Sequence, residues 1–180
     1  MNEAGNPLLT ESDIIQGCIK GNPRMQEELY RRFSSKMFGV CLRYSGNPED
    51  AQDILQEGFV KVYRNLERFR SEGSFEGWMR RIVVNTAINH VKKNNKSLVK
   101  YAEEVNDVIT IDPSTIDRIS ANELMLLIHE LPPMHRTVFN MFAIDGFTHR
   151  EIAERLNFSE SNSKWYVAEA RKQLKKNIKL

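Results

Sequence analysis

The residues best suited to chemistry in this sequence lie near its C-terminus, on one face of a predicted helix. A helix that enters the major groove of DNA needs small and amide side chains in its first turns for base edges, and cations further along for phosphates. The side chains on this face are Ser161, Asn162, Trp165, Ala168, Glu169, Lys172 and Lys176, flanked by Lys164 and Arg171. A ring as large as that of Trp165 is unusual on a solvated face, which favours contact with DNA or a protein over a helical hairpin that is merely basic.

A second set of cations lies in the middle of the chain. The whole sequence is nearly neutral, because 26 Lys and Arg residues oppose 24 Asp and Glu residues. Between Glu76 and Glu103, however, there is no carboxylate, and only Glu169 opposes the cations near the C-terminus. The two basic patches are Arg80, Arg81, Lys92, Lys93, Lys96 and Lys100, and Lys164, Arg171, Lys172, Lys175, Lys176 and Lys179. Each patch can follow the phosphates of a nucleic acid, and the alternative for each is a solvated helix face.

The C-terminal candidates require a helix-turn-helix to position them. Thr148 and Glu151 have the spacing of a capping box, which begins a short helix, and Ser159 can cap a second one. The longer helix has a stripe at spacings of three and four that faces the core, formed by Ser163, Val167, Ala170, Leu174 and Ile178. The pattern therefore predicts a short helix, a tight turn and a longer helix.

The rest of the chain has the same helical periodicity, interrupted by Gly and Pro. Predicted helices cover 24–45, 49–66, 75–93, 120–131, 134–144, 148–156 and 159–178. Their core positions in the first half are Leu29, Phe33, Met37, Val40, Cys41, Tyr44, Ala51, Ile54, Leu55, Phe59 and Val62. Residues 94–119 have weak periodicity and an acidic second part, which is typical of a flexible linker. We therefore expect an all-α fold with two small helical domains joined by this linker.

Several classes of function are disfavoured by composition. Cys18 and Cys41 lie in apolar helical surroundings without a Cys-x-x-Cys pair, which predicts buried thiols rather than a metal or redox site. A metallohydrolase using His129, Glu130 and His135 has the wrong ligand spacing, and Pro132–Pro133 interrupts the helix. We expect no catalytic residue, no cofactor and no metal. No apolar run approaches the roughly 18 residues of a membrane span, so we expect a cytoplasmic protein without membrane insertion.

Five segments resemble a known family. Residues 131–139 (LPPMHRTVF), 146–153 (GFTHREIA) and 170–174 (ARKQL) are similar to region 4 of an extracytoplasmic-function sigma factor. Residues 50–63 (DAQDILQEGFVKVY) and 75–90 (FEGWMRRIVVNTAINH) are similar to regions 2.2 and 2.4 of the same family. Two independent motif sets in the same order are more specific than either set alone.

The resemblance implies a division of the chain and a function. Residues 10–93 correspond to sigma region 2, 94–119 to a linker and 120–180 to sigma region 4. The protein would be a transcription initiation factor that binds core RNA polymerase, directs it to promoters and helps to open the −10 DNA. Its implied partners are the clamp helices of the largest polymerase subunit, the flap of the second subunit, promoter double-stranded DNA, the melted non-template strand and an anti-sigma factor.

The resemblance also assigns residues to each partner. Contacts with core polymerase fall on Asp50, Asp53, Gln56 and Glu57. Contacts with the −10 element fall on Phe69, Arg70, Phe75, Trp78, Arg80, Arg81, Asn85, Asn89 and Lys92. Aromatic rings there can stack on a flipped base, although Phe75 and Trp78 also fit a core, which we favour for Trp78. Contacts with the −35 element fall on Ser161, Asn162, Lys164, Trp165, Ala168, Arg171 and Lys172. Residues 162–166 depart from the usual recognition-helix pattern, which leaves the preferred −35 sequence open.

One other class of function fits the same residues. A two-domain helix-turn-helix regulator that acts without polymerase would use its first half to sense a ligand or to dimerise. Such a regulator forms a stable complex with DNA on its own, whereas a sigma factor binds promoters specifically as part of the holoenzyme.

Overall fold

The computed structural model describes residues 9–94 and 121–178. Within these two ranges the chain forms eight α-helices and no β-strand, which confirms the all-α prediction. The predicted linker lies outside the described residues except for Asn94, and so do Lys96, Lys100 and Lys179. Across the described ranges, no helix is both long enough and apolar enough to cross a bilayer.

The first half contains four helices, α1 (Glu11–Ile19), α2 (Pro23–Tyr44), α3 (Pro48–Asn65) and α4 (Phe75–Asn94). A short 3-10 turn, Leu66–Arg68, follows α3. Helices α2, α3 and α4 pack against one another, and α1 packs against α2. This arrangement presents one face of α3 and one face of α4 to solvent.

Asparagine caps explain the sharp corners that begin α2 and α3. Asn22 and Asn47 each precede a proline, and their side-chain oxygens accept hydrogen bonds from the backbone N–H groups of Arg24 and Asp50. Proline is favoured in the first helical turn because its φ angle suits the helix and its missing N–H would have no partner there. Each Asn-Pro pair therefore ends one segment and starts the next helix.

The core of the first half includes the apolar positions predicted from periodicity, together with residues of α1 and α4. All of the predicted positions are buried: Leu29, Phe33, Met37, Val40, Cys41, Tyr44, Ala51, Ile54, Leu55, Phe59 and Val62. Gly58 allows α3 to approach α4 closely, since a methyl group at this position would lie 3.1 Å from Cγ2 of Val83. The core thus holds α3 and α4 in a fixed relative position.

The second half also contains four helices, α5 (Ala121–Glu130), α6 (Pro133–Phe139), α7 (His149–Leu156) and α8 (Glu160–Asn177). A π-helical turn, Asn140–Ile144, continues α6. Helix α8 packs against α6 and α7, and its contact with α5 surrounds a smaller cluster of Ile128, Leu131, Ala170 and Leu174.

Local hydrogen bonds form the predicted helix-turn-helix. Thr148 accepts a bond from the backbone N–H of Glu151, whose carboxylate accepts one from the backbone N–H of Thr148, so the capping box is present. Asn157 ends α7 in the left-handed conformation (φ 58°), and Ser159 caps α8 through the N–H of Asn162. Asparagine tolerates this conformation better than most residues, which accounts for the tight turn.

The two halves pack against each other, which the prediction of two domains on a flexible linker did not include. Helix α6 contacts α2 and α4. Met134, Val138 and Met141 belong to the same apolar cluster as the core of the first half. Such long-range packing depends on which faces meet in space, and helical periodicity does not contain that information.

Candidate nucleic-acid interfaces

Helix α8 is held by its predicted stripe. Ser163, Val167, Ala170 and Leu174 are buried, and Tyr166, which was not predicted, is buried beside them. Ile178, the last predicted member of the stripe, follows the end of α8 and is half-buried. Ser163 does more than pack, because its Oγ lies 2.9 Å from Nδ1 of His149 on α7. The ring of His149 in turn stacks on Phe142, with centroids 4.3 Å apart. These contacts set the angle between the two helices of the motif.

The predicted −35 residues on α8 differ in exposure. Ser161, Lys164 and Lys172 are exposed, whereas Asn162, Ala168 and Arg171 are half-buried. The guanidinium of Arg171 lies 5.7 Å from the ring centroid of Phe142, which limits its orientations. Cations therefore accompany small and amide side chains along this face, as groove binding requires.

Trp165 has partners inside the protein. Its half-buried ring lies 5.4 Å from the ring of His135 and 4.9 Å from that of Tyr166, measured between centroids. The prediction of an external partner for this ring did not include α6, which runs beside that part of α8. Its presence no longer requires an external partner.

His135 occupies an unusual place in this cluster. Both ring nitrogens are buried without a hydrogen-bond partner, and the ring lies edge-on to Tyr166 at 5.0 Å. Burial lowers the pKa of His135, against the smaller, opposite effect of Glu169. His129 belongs to a different helix, α5, and its backbone oxygen accepts a bond from Arg136. Within the described ranges, no three His, Cys, Asp or Glu side chains are grouped as metal ligands.

A cleft lined by aromatic and cationic side chains lies between the first turns of α4 and the segment that precedes this helix. It has a volume of about 410 Å³ and is lined by Arg68, Phe69, Arg70, Glu72, Gly73, Ser74, Gly77, Trp78 and Arg81. The rings of Phe69 and Trp78 are half-buried, with centroids 5.5 Å apart. Arg70 and Arg81 are exposed. The predicted residues Phe69, Arg70, Trp78 and Arg81 are thus brought together, and rings beside guanidiniums form a surface on which an unpaired base can stack.

Phe75 is the exception among the predicted −10 residues. Its side chain is only 1% exposed, and its ring packs against Phe33, Phe69 and Trp78. Of the two roles left open for Phe75, contact with DNA and a place in the core, the structure shows the core, because Phe33, Phe69 and Trp78 enclose its ring. Phe75 instead supports the two rings that line the cleft.

The remaining predicted −10 residues follow α4. Arg81 and Asn89 are exposed, whereas Asn85 and Lys92 are half-buried. Arg80 differs from these residues because its guanidinium is bound within the chain. Its Nη2 lies 2.7 Å from Oδ1 of Asp145, which lies just after the π turn of the second half.

The acidic face of α3 is the third candidate surface. Asp53, Gln56 and Glu57 are exposed, as predicted for a docking face. Asp50 is half-buried and tied to the fold, since it accepts a bond from Asn47 and lies 3.4 Å from Nε2 of His90. Periodicity assigned no role to Val60, although this apolar residue is 46% exposed on the same face.

Asp145 is the polar centre of the contact between the halves. Its carboxylate is 5% exposed and accepts bonds from Arg80, from Arg43 at 3.3 Å and from the hydroxyl of Tyr44. Nearby, Nδ2 of Asn140 donates to the backbone oxygen of Arg43 at 2.6 Å. Sequence reasoning missed this group because no motif connects residues about one hundred positions apart.

Comparisons with known proteins agree with the two-part architecture. Residues 29–97 match the family model of sigma-70 region 2, and residues 121–174 match that of sigma-70 region 4. The chain is 27% identical to the ECF RNA polymerase sigma-E factor of Haemophilus influenzae, covering 94% of this chain and 96% of that protein. It is 26% identical to the ECF RNA polymerase sigma factor SigW of Bacillus subtilis, covering 92% and 95%. Among solved structures it is similar to the sigma factor RpoE in complex with the anti-sigma factor NepR from Bartonella quintana, at 15% identity and a TM-score of 0.48, covering 83% and 94%.

Proposed function

The chain belongs to the extracytoplasmic-function group of the sigma-70 family, and on that premise we propose a role in transcription initiation for each of its three surfaces. As a sigma factor, it acts with RNA polymerase and is not an enzyme. We propose that α8 binds the −35 element, that α4 and its cleft bind the −10 element, and that α3 docks on the polymerase.

The observation that carries this proposal is the presence of two cation-bearing helices in different halves of one chain. Helix α8 presents Lys164 and Lys172, and helix α4 presents Arg81 and Lys92. A helix-turn-helix by itself does not distinguish a sigma factor from other DNA-binding regulators. A second nucleic-acid surface with its own aromatic cleft fits a protein that holds two promoter elements and opens one of them.

At the −35 element, α8 would lie in the major groove. Ser161 and Asn162 lie in its first turn, where their side chains can hydrogen-bond to base edges. Lys164, Arg171 and Lys172 would contact phosphates, which position the helix without reading sequence. Because Trp165 is packed on His135, we assign it to orienting α8 rather than to base recognition.

At the −10 element, the cleft between the 3-10 turn and α4 would receive an unpaired base. Unstacking a base costs free energy that is recovered when its face meets an aromatic ring or a guanidinium. Phe69 and Trp78 supply rings, and Arg70 and Arg81 supply cations. Asn85 and Asn89 continue the surface along α4 with amide groups that can bond to base edges.

On the polymerase, Asp53, Gln56 and Glu57 would dock on the clamp helices of the largest subunit. The exposed Val60 adds an apolar contact to this acidic surface. The second half would reach the flap of the second subunit, and an anti-sigma factor would control access to polymerase in the cytoplasm.

In-vitro transcription with purified core polymerase and a library of genomic promoter fragments tests this proposal. Replacing Lys164 and Lys172 with alanine is expected to weaken promoter binding and to lower its salt dependence, because each cation neutralises one phosphate. Lys20→Ala removes an exposed charge from the end of α1 and serves as the control. Trp78→Ala is expected to retain promoter binding but to reduce melting, measured by permanganate reactivity of −10 thymines.

Docking on polymerase is tested by charge reversal. Glu57→Lys is expected to weaken binding to core polymerase, whereas Glu27→Lys, an exposed reversal on α2, is expected to leave it unchanged. A gel shift with and without core polymerase distinguishes the alternative function. Specific, stable promoter binding by the chain alone, with no transcription when polymerase is added, would identify a regulator instead and overturn the proposal.

A further inference from the structure

Asp145 lies in a site built to hold an anion. Two guanidiniums, from Arg43 on α2 and Arg80 on α4, meet its carboxylate together with the hydroxyl of Tyr44. All three donors come from the first half of the chain, and the carboxylate comes from the second half. Paired guanidiniums beside a hydroxyl are the donor set that also binds a phosphate group.

The backbone holds Asp145 in this position. The residue follows the π turn, and its N–H bonds to the oxygen of Asn140 at 2.9 Å. Gly146 then adopts a positive φ of 74°, which reverses the chain toward α7. The backbone on both sides of Asp145 therefore has a defined conformation, which fixes the direction of its side chain toward Arg80.

A cleft of about 170 Å³ lies beside this ion pair. It is lined by Gly77, Arg80, Arg81, Val84, Asp145 and Phe147. On one side it is bounded by α4, the helix that we assign to the −10 element, and on the other by the segment that carries Asp145. The second half thus covers part of the proposed DNA surface while leaving Arg81 exposed.

The contact between the halves has an apolar part, in which Met134, Val138 and Met141 pack on the core of the first half, and a polar part that is incompletely paired. Several of its buried polar atoms have no hydrogen-bond partner: Nε of Arg43, Nε of Arg136 and Oδ1 of Asn140. Arg136 reaches the end of α2, since a methyl group on Gly46 would lie 3.8 Å from its Nη2. Buried polar atoms without partners carry a desolvation cost that solvation would remove on separation. Such a contact favours reversible closure.

We infer that Arg43, Tyr44 and Arg80 form a binding site for a backbone phosphate of DNA, and that Asp145 occupies this site in the closed chain. The carboxylate takes the place of the phosphate, so closure inhibits the −10 surface until the halves separate. This inference rests on the proposed function in one respect, because it uses the DNA surface assigned to α4. Arg43 and Tyr44 are additions to that surface.

The test uses the full chain without polymerase. Asp145→Asn keeps the shape of the side chain and removes its charge, and Glu154→Gln makes the same change on an exposed residue of α7 that pairs with Arg150. Small-angle X-ray scattering measures the separation of the halves, and fluorescence anisotropy measures binding of a mixed-sequence single-stranded DNA. Asp145→Asn is expected to increase the radius of gyration and to strengthen DNA binding about tenfold, since it removes hydrogen bonds to a charged group.

Two further variants separate the parts of the inference. Tyr44→Phe removes one of the three donors from both Asp145 and the proposed phosphate site, so it is expected to increase the radius of gyration by a smaller amount, with little gain in DNA binding. Adding Arg80→Ala to Asp145→Asn is expected to keep the chain open but to abolish the gain in DNA binding. Should Asp145→Asn fail to fold by circular dichroism, Asn140→Ala takes its place, because this change loosens the contact between the halves and leaves all three donors intact. A larger radius and stronger DNA binding are then expected, and no change in either would contradict the inference.

Each remaining outcome has a definite meaning. If Asp145→Asn and Glu154→Gln give the same radius and the same DNA affinity, the inference is wrong. If the chain opens without a gain in DNA binding, the phosphate site is wrong. Scattering does not depend on promoters, so a failure of the proposed function would appear in the transcription assay while the difference in radius persisted.

Discussion

The core of α1–α4 and the polar part of the contact between the two halves are built from opposite kinds of residues. In the core, the apolar side chains of Leu29, Ile54 and Val62 are completely buried. At the contact, the carboxylate of Asp145 is buried beside the half-buried Arg43, whose Nε lacks a partner. Burying apolar side chains stabilises the fold in proportion to the area removed from water and does not require a specific partner. Burying a polar group destabilises the fold unless the group is hydrogen-bonded. The comparison indicates that one region maintains the fold and the other can exchange partners.

The largest effect is expected in the core. Phe59→Ala removes a ring that is 3% exposed and packs on Tyr30 and Tyr63, so the free energy of unfolding should fall by about 3 to 5 kcal/mol. Guanidinium denaturation of the full chain measures the loss. Val60→Ala, the next residue on α3 but 46% exposed, is the matched control and should change stability far less. Equal losses would contradict the assignment of Phe59 to the core.

An intermediate effect is expected at the start of the helix-turn-helix. Thr148→Ala removes the hydroxyl that accepts the N–H of Glu151, and N-cap losses of this kind cost about 1 to 2 kcal/mol. Thr148→Ser retains the hydroxyl and should stay close to the parent protein in thermal unfolding. If serine is as damaging as alanine, the methyl group rather than the cap stabilises α7.

A smaller effect, confined to the contact between the halves, is expected for Asn140→Ala. The change removes the donor to the backbone oxygen of Arg43, which contributes about 1 kcal/mol and therefore shifts closure about fivefold. Hydrogen exchange should accelerate along the facing parts of α2 and α6 but remain unchanged in the core of α3. Faster exchange in both regions would show that the contact belongs to the permanent fold.

The smallest effect concerns pH. Burial lowers the pKa of His135 below its ordinary value near 6.5, so the unfolded chain binds a proton more readily than the folded one. Stability attributable to this residue is therefore present above pH 6.5 and decreases as pH falls below it. His135→Phe keeps a ring beside Trp165 and loses no hydrogen bond, so its denaturation midpoint should fall less than that of the parent protein between pH 7.5 and 5.5. An identical fall would show that His135 does not titrate differently in the two states.

Local patterns in the sequence were sufficient for every described helix except α1 and for the caps of the helix-turn-helix. Core positions such as Phe59 recur at helical spacing, and the capping box at Thr148 requires only residues three positions apart. The surroundings of Trp165 and Phe75 could not be predicted in this way. Each ring packs on a neighbour that is remote in sequence, His135 for Trp165 and Phe33 for Phe75, and the face of its own helix does not reveal that neighbour.

What the sequence determined by itself was therefore the all-α fold, the helix-turn-helix and the family motifs, because these depend on interactions within a few residues. What only the tertiary structure decided was the environment of Asp145. Its partners lie 65 to 102 positions away, on two helices whose relative placement is set by packing of the whole core. In the sequence, Asp145 is an ordinary residue between two predicted helices. In the structure it is a buried anion between two guanidiniums, because solvation and charge pairing depend on distance in space.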